Sequence, residues 1–143
     1  MKGEPEGITI SGGEPTEQWS GVKSLLQECH KIDPTLNVLM FSGLTDEQLG
    51  RRGIIKEAFS PYHHSQALVS TIVSGPYDRD QPSDEYLLGS KNQKILTWNG
   101  VPIQSAGPRV EVQVSKDGTV KVTGFPSKGT LDEIKTNFTR TGD

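Results

Sequence analysis

Cysteine is what this chain has least of: one residue, Cys29, in 143. A single thiol excludes an internal disulfide, which accords with a reducing cytoplasm. No apolar run approaches the length needed to span a bilayer, and no basic segment followed by an apolar stretch opens the chain. The sequence is therefore read as soluble, unexported and cytoplasmic, with no membrane partner. Charge of one sign is also lacking: 15 basic and 18 acidic residues are well mixed and give a net charge of −3. That balance leaves no electrostatic footprint for nucleic acid or an anionic surface. Hydrophobic residues make up only 31% of the chain, low for a self-contained α/β fold and suited to a piece of a larger sheet. No internal repeat or low-complexity tract is visible.

What is present begins with the stretch from Ile8 to Pro15, Ile-Thr-Ile-Ser-Gly-Gly-Glu-Pro. It reads as a short apolar strand that ends in two glycines and a carboxylate. Ligands of α/β sheets bind just beyond the carboxyl ends of the strands, so this motif sits where chemistry usually happens. Gly12 and Gly13 let a ligand press directly on the backbone, and Glu14 adds a fixed negative charge. Carbonyls beside a carboxylate suit an ammonium group better than a phosphate. A nucleotide P-loop is excluded, because its Lys and Ser or Thr are missing. The bland alternative is a tight strand-to-helix turn in which Pro15 starts the next segment.

Further along, Trp19, Val22, Leu25, Leu26 and Cys29 fall at helical spacing within a helix from Glu17 to about Lys31, which makes Cys29 a core thiol. Asp33-Pro34 stops that helix. Val38, Leu39, Met40 and Phe41 are apolar without alternation, the signature of a strand from Asn37 to Ser42 covered on both faces. Thr45-Asp-Glu-Gln48 is a capping box. Arg51 to Gln66 predicts a short helical piece and a loop, with His63 and His64 as solvated loop residues. Ala67 to Ser74 predicts a third strand, followed by a long polar loop to Asn92. Right-handed crossovers would place Gly12 to Glu14 and Ser42 to Gly43 on one rim.

After Gly107-Pro108 the pattern becomes antiparallel. Arg109 to Ser115 and Thr119 to Thr123 flank Lys116-Asp-Gly118, a strong hairpin signal. Val110, Val112 and Val114 share one face, matched by Val120 and Val122. Thr130-Leu-Asp-Glu133 predicts a second capping box before a short final helix. The expected fold class is α/β: an incomplete parallel sheet of partial β/α-barrel type over residues 1–107, with a hairpin and helix extension packed on it over residues 108–143.

Gly-Gly-Glu-Pro, then Phe41-Ser-Gly43, then Gly75-Pro-Tyr-Asp-Arg-Asp80 and Gly89-Ser-Lys-Asn-Gln-Lys94, occur in the order and spacing of one family. From about Glu6 to about Ile95 the chain resembles the radical S-adenosylmethionine activating enzymes, most closely the anaerobic ribonucleotide reductase activating protein. Val122-Thr-Gly-Phe-Pro126 also looks like the tail of some relatives. The resemblance implies reductive cleavage of S-adenosylmethionine by a [4Fe-4S] cluster, and hydrogen abstraction from a glycine of a partner glycyl-radical enzyme such as anaerobic ribonucleotide reductase. It further implies that Glu14 accepts hydrogen bonds from the methionyl ammonium, that Gly12 and Gly13 give close backbone contacts, and that Ser42 stands on the rim.

The sequence departs from that pattern at the cluster. The family's Cys-x3-Cys-x2-Cys loop lies before the Gly-Gly-Glu strand, and only seven residues precede Ile8. Three thiolates must hold the irons while the fourth stays open for the cosubstrate, and one thiol cannot do this. The expectation is therefore an S-adenosylmethionine-binding and C-terminal part of an activating protein, without catalytic or metal-ligating residues of its own. The cysteine loop would lie upstream or on a separate cluster-bearing polypeptide. A non-catalytic binding or assembly module and a truncated reading frame are the alternatives. The missing first strand would leave an open sheet edge. Asp78, Asp80, Asn92 and Gln93 receive no individual roles beyond closing turns.

Overall fold

A computed structural model describes residues 7–61, 67–101 and 109–123. The first strand, β1 (Gly7–Gly12), leads through a 3-10 turn at Pro15–Gln18 into α1 (Trp19–Ile32). Then come β2 (Asn37–Ser42), α2 (Asp46–Arg51), α3 (Ile54–Ala58), β3 (Thr71–Ser74), β4 (Lys94–Thr97), β5 (Arg109–Val114) and β6 (Val120–Thr123). All six strands form one open sheet in the order β4-β3-β2-β1-β5-β6. Pairs β3-β2, β2-β1 and β1-β5 are parallel, whereas β4 and β6 run antiparallel at the two edges. The expected mixed α/β architecture with a largely parallel sheet is what folds, and it is not closed into a barrel.

The core lies between the sheet and α1. Ile8, Ile10, Val38, Met40, Ile72, Val110, Val112 and Val114 meet Val22, Leu25, Leu26 and Cys29 of α1 in one cluster with Leu49 and Ile54. Removing each such side chain from water stabilises the fold by about 1.5–3 kcal/mol. Cys29 is 3% exposed, as its helical spacing predicts. His30 is buried too, its Nε2 lying 3.0 Å from the carbonyl of Leu68, so α1 is tied to the approach of β3. The helix ends where Asp33 turns extended and its carboxylate accepts from the Thr35 amide at 2.9 Å. At α2 the capping box forms in full: the Gln48 amide donates to Thr45 Oγ1 at 3.2 Å and the Thr45 amide to Gln48 Oε1 at 2.9 Å.

Three expectations change. The third strand starts at Thr71 rather than Ala67, because the preceding residues bond across instead of along the sheet. The Val69 amide donates to the Ala58 carbonyl and Ser70 Oγ accepts from the Val38 amide, both at 2.9 Å. The edge strand β4 had no place in the sequence reading, since four residues after a polar loop carry little periodic signal. The largest change concerns the open edge. β5 pairs with β1 along its whole length, from Gly7 opposite Arg109 to Gly12 opposite Val114, so the edge of β1 is closed by the C-terminal hairpin. The hairpin itself is as predicted, with Val112 opposite Val122 and Val114 opposite Val120. His63, His64 and the predicted helix beginning near Thr130 lie outside the described residues.

Gly12 makes this closure possible. Its φ is +118°, and a Cβ there would stand 2.6 Å from the Val114 nitrogen and 2.8 Å from its oxygen. Both the conformation and the approach require a residue without a side chain. Gly12→Ala is expected to cost about 1–3 kcal/mol through backbone strain and to loosen β5. Urea denaturation and amide exchange at Val112 and Val114 check this; unchanged stability with unchanged protection would contradict the tight Gly12–Val114 approach.

Candidate functional site

Because β1, β2 and β3 are parallel, their carboxyl ends open on one rim: Gly12 to Glu14, Ser42 to Gly43, and Ser74 to Gly75. Glu14 is the hub. Its Oε1 accepts from the Gly43 amide at 2.7 Å, and its Oε2 accepts from Ser42 Oγ at 3.0 Å and the Thr16 amide at 3.0 Å. The Thr16 hydroxyl also donates to Oε2. A carboxylate offers about four acceptor positions, shared evenly between its oxygens. Oε2 is therefore filled, and Oε1 keeps room for one further donor beside Gly43. Bonds to a charged acceptor are the strong class of hydrogen bond, so the carboxylate is fixed in one orientation across the exits of β1 and β2.

Of the residues singled out from the sequence, Glu14 and Ser42 are thus in direct contact. Gly12 and Gly13 stand beside them, both exposed. Their near side faces the hairpin, where the Gly13 amide donates to the Val114 carbonyl at 3.0 Å. Thr16 was missed by sequence reasoning, although its place just inside a proline-started turn was the available signal.

Two concavities flank this hub. One, of about 370 Å³, is lined by Glu14, Glu17, Gln18, Val114, Ser115 and Lys116. The other, of about 380 Å³, lies at the β3 exit beside Thr45, Asp46, Ser74, Asn92 and Lys94. Ser74 is fully buried, and its hydroxyl has no hydrogen-bond partner among the described residues. At the mouth of that second pocket Lys94 Nζ lies 3.1 Å from Asp46 Oδ2. The ammonium's hydrogen bond holds the Asp46 carboxyl below its ordinary value of 3.8.

The loop between β3 and β4 closes on its own polar residues. Asp78 accepts from the Asp80 amide at 2.9 Å and the Gln81 side-chain amide at 2.8 Å. The Gln81 bond first, then the Asp80 bond, lower the Asp78 pKa. Asn92 Nδ2 donates to the Pro76 carbonyl at 2.7 Å, and Gln93 donates to the Gly75 carbonyl at 3.0 Å while accepting from Gly89. Asp78, Asn92 and Gln93 therefore brace the loop, and Asp80 contributes its amide.

Residues 1–96 match the family model described as a 4Fe-4S single cluster domain. The match covers more than half of the 143 residues, and the chain belongs to that family. No curated protein and no solved structure matched the chain. The residues present do not fit the family's cluster. The sole cysteine is packed in the core beneath the sheet, away from any cavity mouth, and the described residues contain no group of three or more metal-ligating side chains. Among the described residues no helix is long and apolar enough to cross a membrane.

Two outcomes follow from the rim. Glu14→Ala strips the acceptor from four donors and is expected to cost about 1–3 kcal/mol, with Glu14→Gln costing less; equal stability of all three proteins in urea would deny the hub its role. Asp46 has its folded pKa lowered, so its pairing with Lys94 stabilises above the ordinary carboxylate value and is lost as pH falls through the lower, folded one. Carbon NMR should find Asp46 titrating below 3.8 and Lys94→Met returning it to the ordinary value; identical titrations would mean that the pair does not form in solution.

Proposed function

We propose that this chain is the S-adenosylmethionine-binding and C-terminal part of a radical S-adenosylmethionine glycyl-radical activating protein, of the anaerobic ribonucleotide reductase activase type. The observation that carries this reading is a carboxylate fixed at the exit of a Gly-Gly-Glu strand, in a chain of a 4Fe-4S domain family. Glu14 Oε1 is oriented to accept from the methionyl ammonium, Gly43 and Ser42 hold it there, and Gly12 and Gly13 give backbone close to the ligand. The buried Ser74 hydroxyl extends the same rim toward β3. With one core cysteine, the chain does not bind the cluster by itself and is not a competent enzyme alone. Its partners would be a cluster-bearing segment or polypeptide and a glycyl-radical enzyme in a reducing cytoplasm.

A second reading, a non-catalytic binding or assembly module, is favoured by one feature. β5 fills the edge of β1, so the sheet needs no further strand there to satisfy its backbone.

The test is radical formation under anaerobic conditions with S-adenosylmethionine, a reductant and anaerobic ribonucleotide reductase. The expected outcome is no glycyl radical by electron paramagnetic resonance from this chain alone. A signal is expected when a polypeptide carrying Cys-x3-Cys-x2-Cys is reconstituted with iron and sulfide and added, and a smaller one with Glu14→Gln. A radical generated by the chain alone overturns the predicted inactivity. Silence in every mixture replaces the activase reading with the binding module.

A further inference from the structure

The pocket between the 3-10 turn and the hairpin carries opposite charges on opposite walls. Glu14 and Glu17 stand on one side and Lys116 on the other, with Gln18, Val114 and Ser115 between them. Lys116 forms no ion pair with any described residue, and neither does Glu17. Their walls are held apart by fixed contacts. The Gly13 amide is bonded to the Val114 carbonyl at 3.0 Å, and Gln18 Nε2 donates to the Ser115 carbonyl at 2.6 Å.

The backbone around Lys116 is equally fixed. Ser115 donates to the Thr119 carbonyl at 2.9 Å, the Gly118 amide donates back to Ser115 at 3.0 Å, and Asp117 accepts from the Thr119 amide at 2.9 Å. Gly118 sits at φ +86°, as the turn demands. The stem of Lys116 runs over Gly13: its Cγ lies 3.8 Å from where a Cβ on Gly13 would be. A cation is thus delivered by the hairpin to the same rim on which β1 presents its carboxylate.

We infer that the hairpin turn supplies the carboxylate-binding half of an α-amino-acid site, with Lys116 receiving the ligand's carboxylate while Glu14 and Glu17 receive its ammonium. This rests on the proposed ligand reading of the Glu14 rim and adds to it a residue from outside the family match, which ends at residue 96. A zwitterion is the ligand class that bridges two walls of opposite charge and leaves neither unpaired. A lone carboxylate would meet two like charges, and a lone amine would leave Lys116 unused. The three charged side chains sum to −1, which also suits a zwitterion carrying one more positive charge, as a sulfonium does.

The test is a proton–nitrogen NMR titration of the labelled chain with L-methionine, its methyl ester, N-acetylmethionine and S-adenosylmethionine. L-methionine is expected to shift the amides of Gly13, Ser115 and Lys116, with the ester and the N-acetyl compound each binding more weakly. Lys116→Ala should weaken L-methionine about three- to five-fold, as befits an exposed ion pair, and should erase the difference between acid and ester. Lys116→Arg should restore both. An unchanged spectrum outside the hairpin confirms that the variants remain folded. Equal binding of acid and ester to the unsubstituted chain, or no binding of L-methionine, overturns the inference. If S-adenosylmethionine binds but is indifferent to Lys116, the inference falls and the proposed function stands. If L-methionine binds through Lys116 while S-adenosylmethionine does not bind, the proposed function falls and the inference stands.

Discussion

The parallel pairing of β1 with β5 is the constraint on which the rest of the structure depends. β1 is six residues long and carries the motif that defines the rim. Held only by β2, it would present one full row of unpaired amides and carbonyls to water, and the core side chains Ile8 and Ile10 would lose Val110 and Val112 from their flank. β5 removes both costs at once. It can do so because Gly12 has no side chain: any Cβ would fall inside the Val114 backbone. The glycine that looks in sequence like an opening for a ligand is therefore first a requirement of the fold.

Once β1 is locked on both sides, the direction of the chain leaving it is set, and Glu14 is placed with it. Its carboxylate then joins three pieces of backbone: the end of β1, the 3-10 turn through Thr16, and the end of β2 through Ser42 and Gly43. Such a group has little freedom left to lose when it meets a cation, so its charge is organised before any ligand arrives. Structural and binding roles are not alternatives at this residue. The same four donors that make the carboxylate part of the fold also aim the lone pair that remains on Oε1.

The parts of this architecture that were legible in the sequence are those encoded locally. Val38 to Phe41 announced a strand buried on both faces, the spacing from Trp19 to Cys29 announced the helix that packs on it, and Thr45 with Gln48 announced the cap of α2. Asp117-Gly118 announced the hairpin, because a turn and its two flanking strands are neighbours in the chain. What lay beyond reach was non-local. Nothing in Arg109 to Val114 says that its other side will pair in parallel with residues about a hundred positions earlier. β4 was missed for a related reason, since Lys94 to Thr97 becomes a strand by lying against β3 rather than by its own pattern. In the candidate site, Glu14 and Ser42 were legible as strand exits. Thr16, Ser74, Glu17 and Lys116 become part of it only through the three-dimensional arrangement.

The family assignment and the lone cysteine are compatible once the energetic source of the fold is considered. In small metal-dependent domains, ligation supplies much of the folding free energy, and loss of ligands means loss of structure. Here the core is built from aliphatic side chains of four strands and α1, with Cys29 as one more packed residue among them. None of those contacts involves a metal. The rim likewise rests on strand exits and on hydrogen bonds to Glu14, not on coordination. A chain of this family can therefore keep the sheet, the Gly-Gly-Glu exit and the fixed carboxylate while carrying none of the thiolates that hold a cluster. Ligand recognition and cluster binding are physically separable functions of this fold, and this chain retains the groundwork for the first.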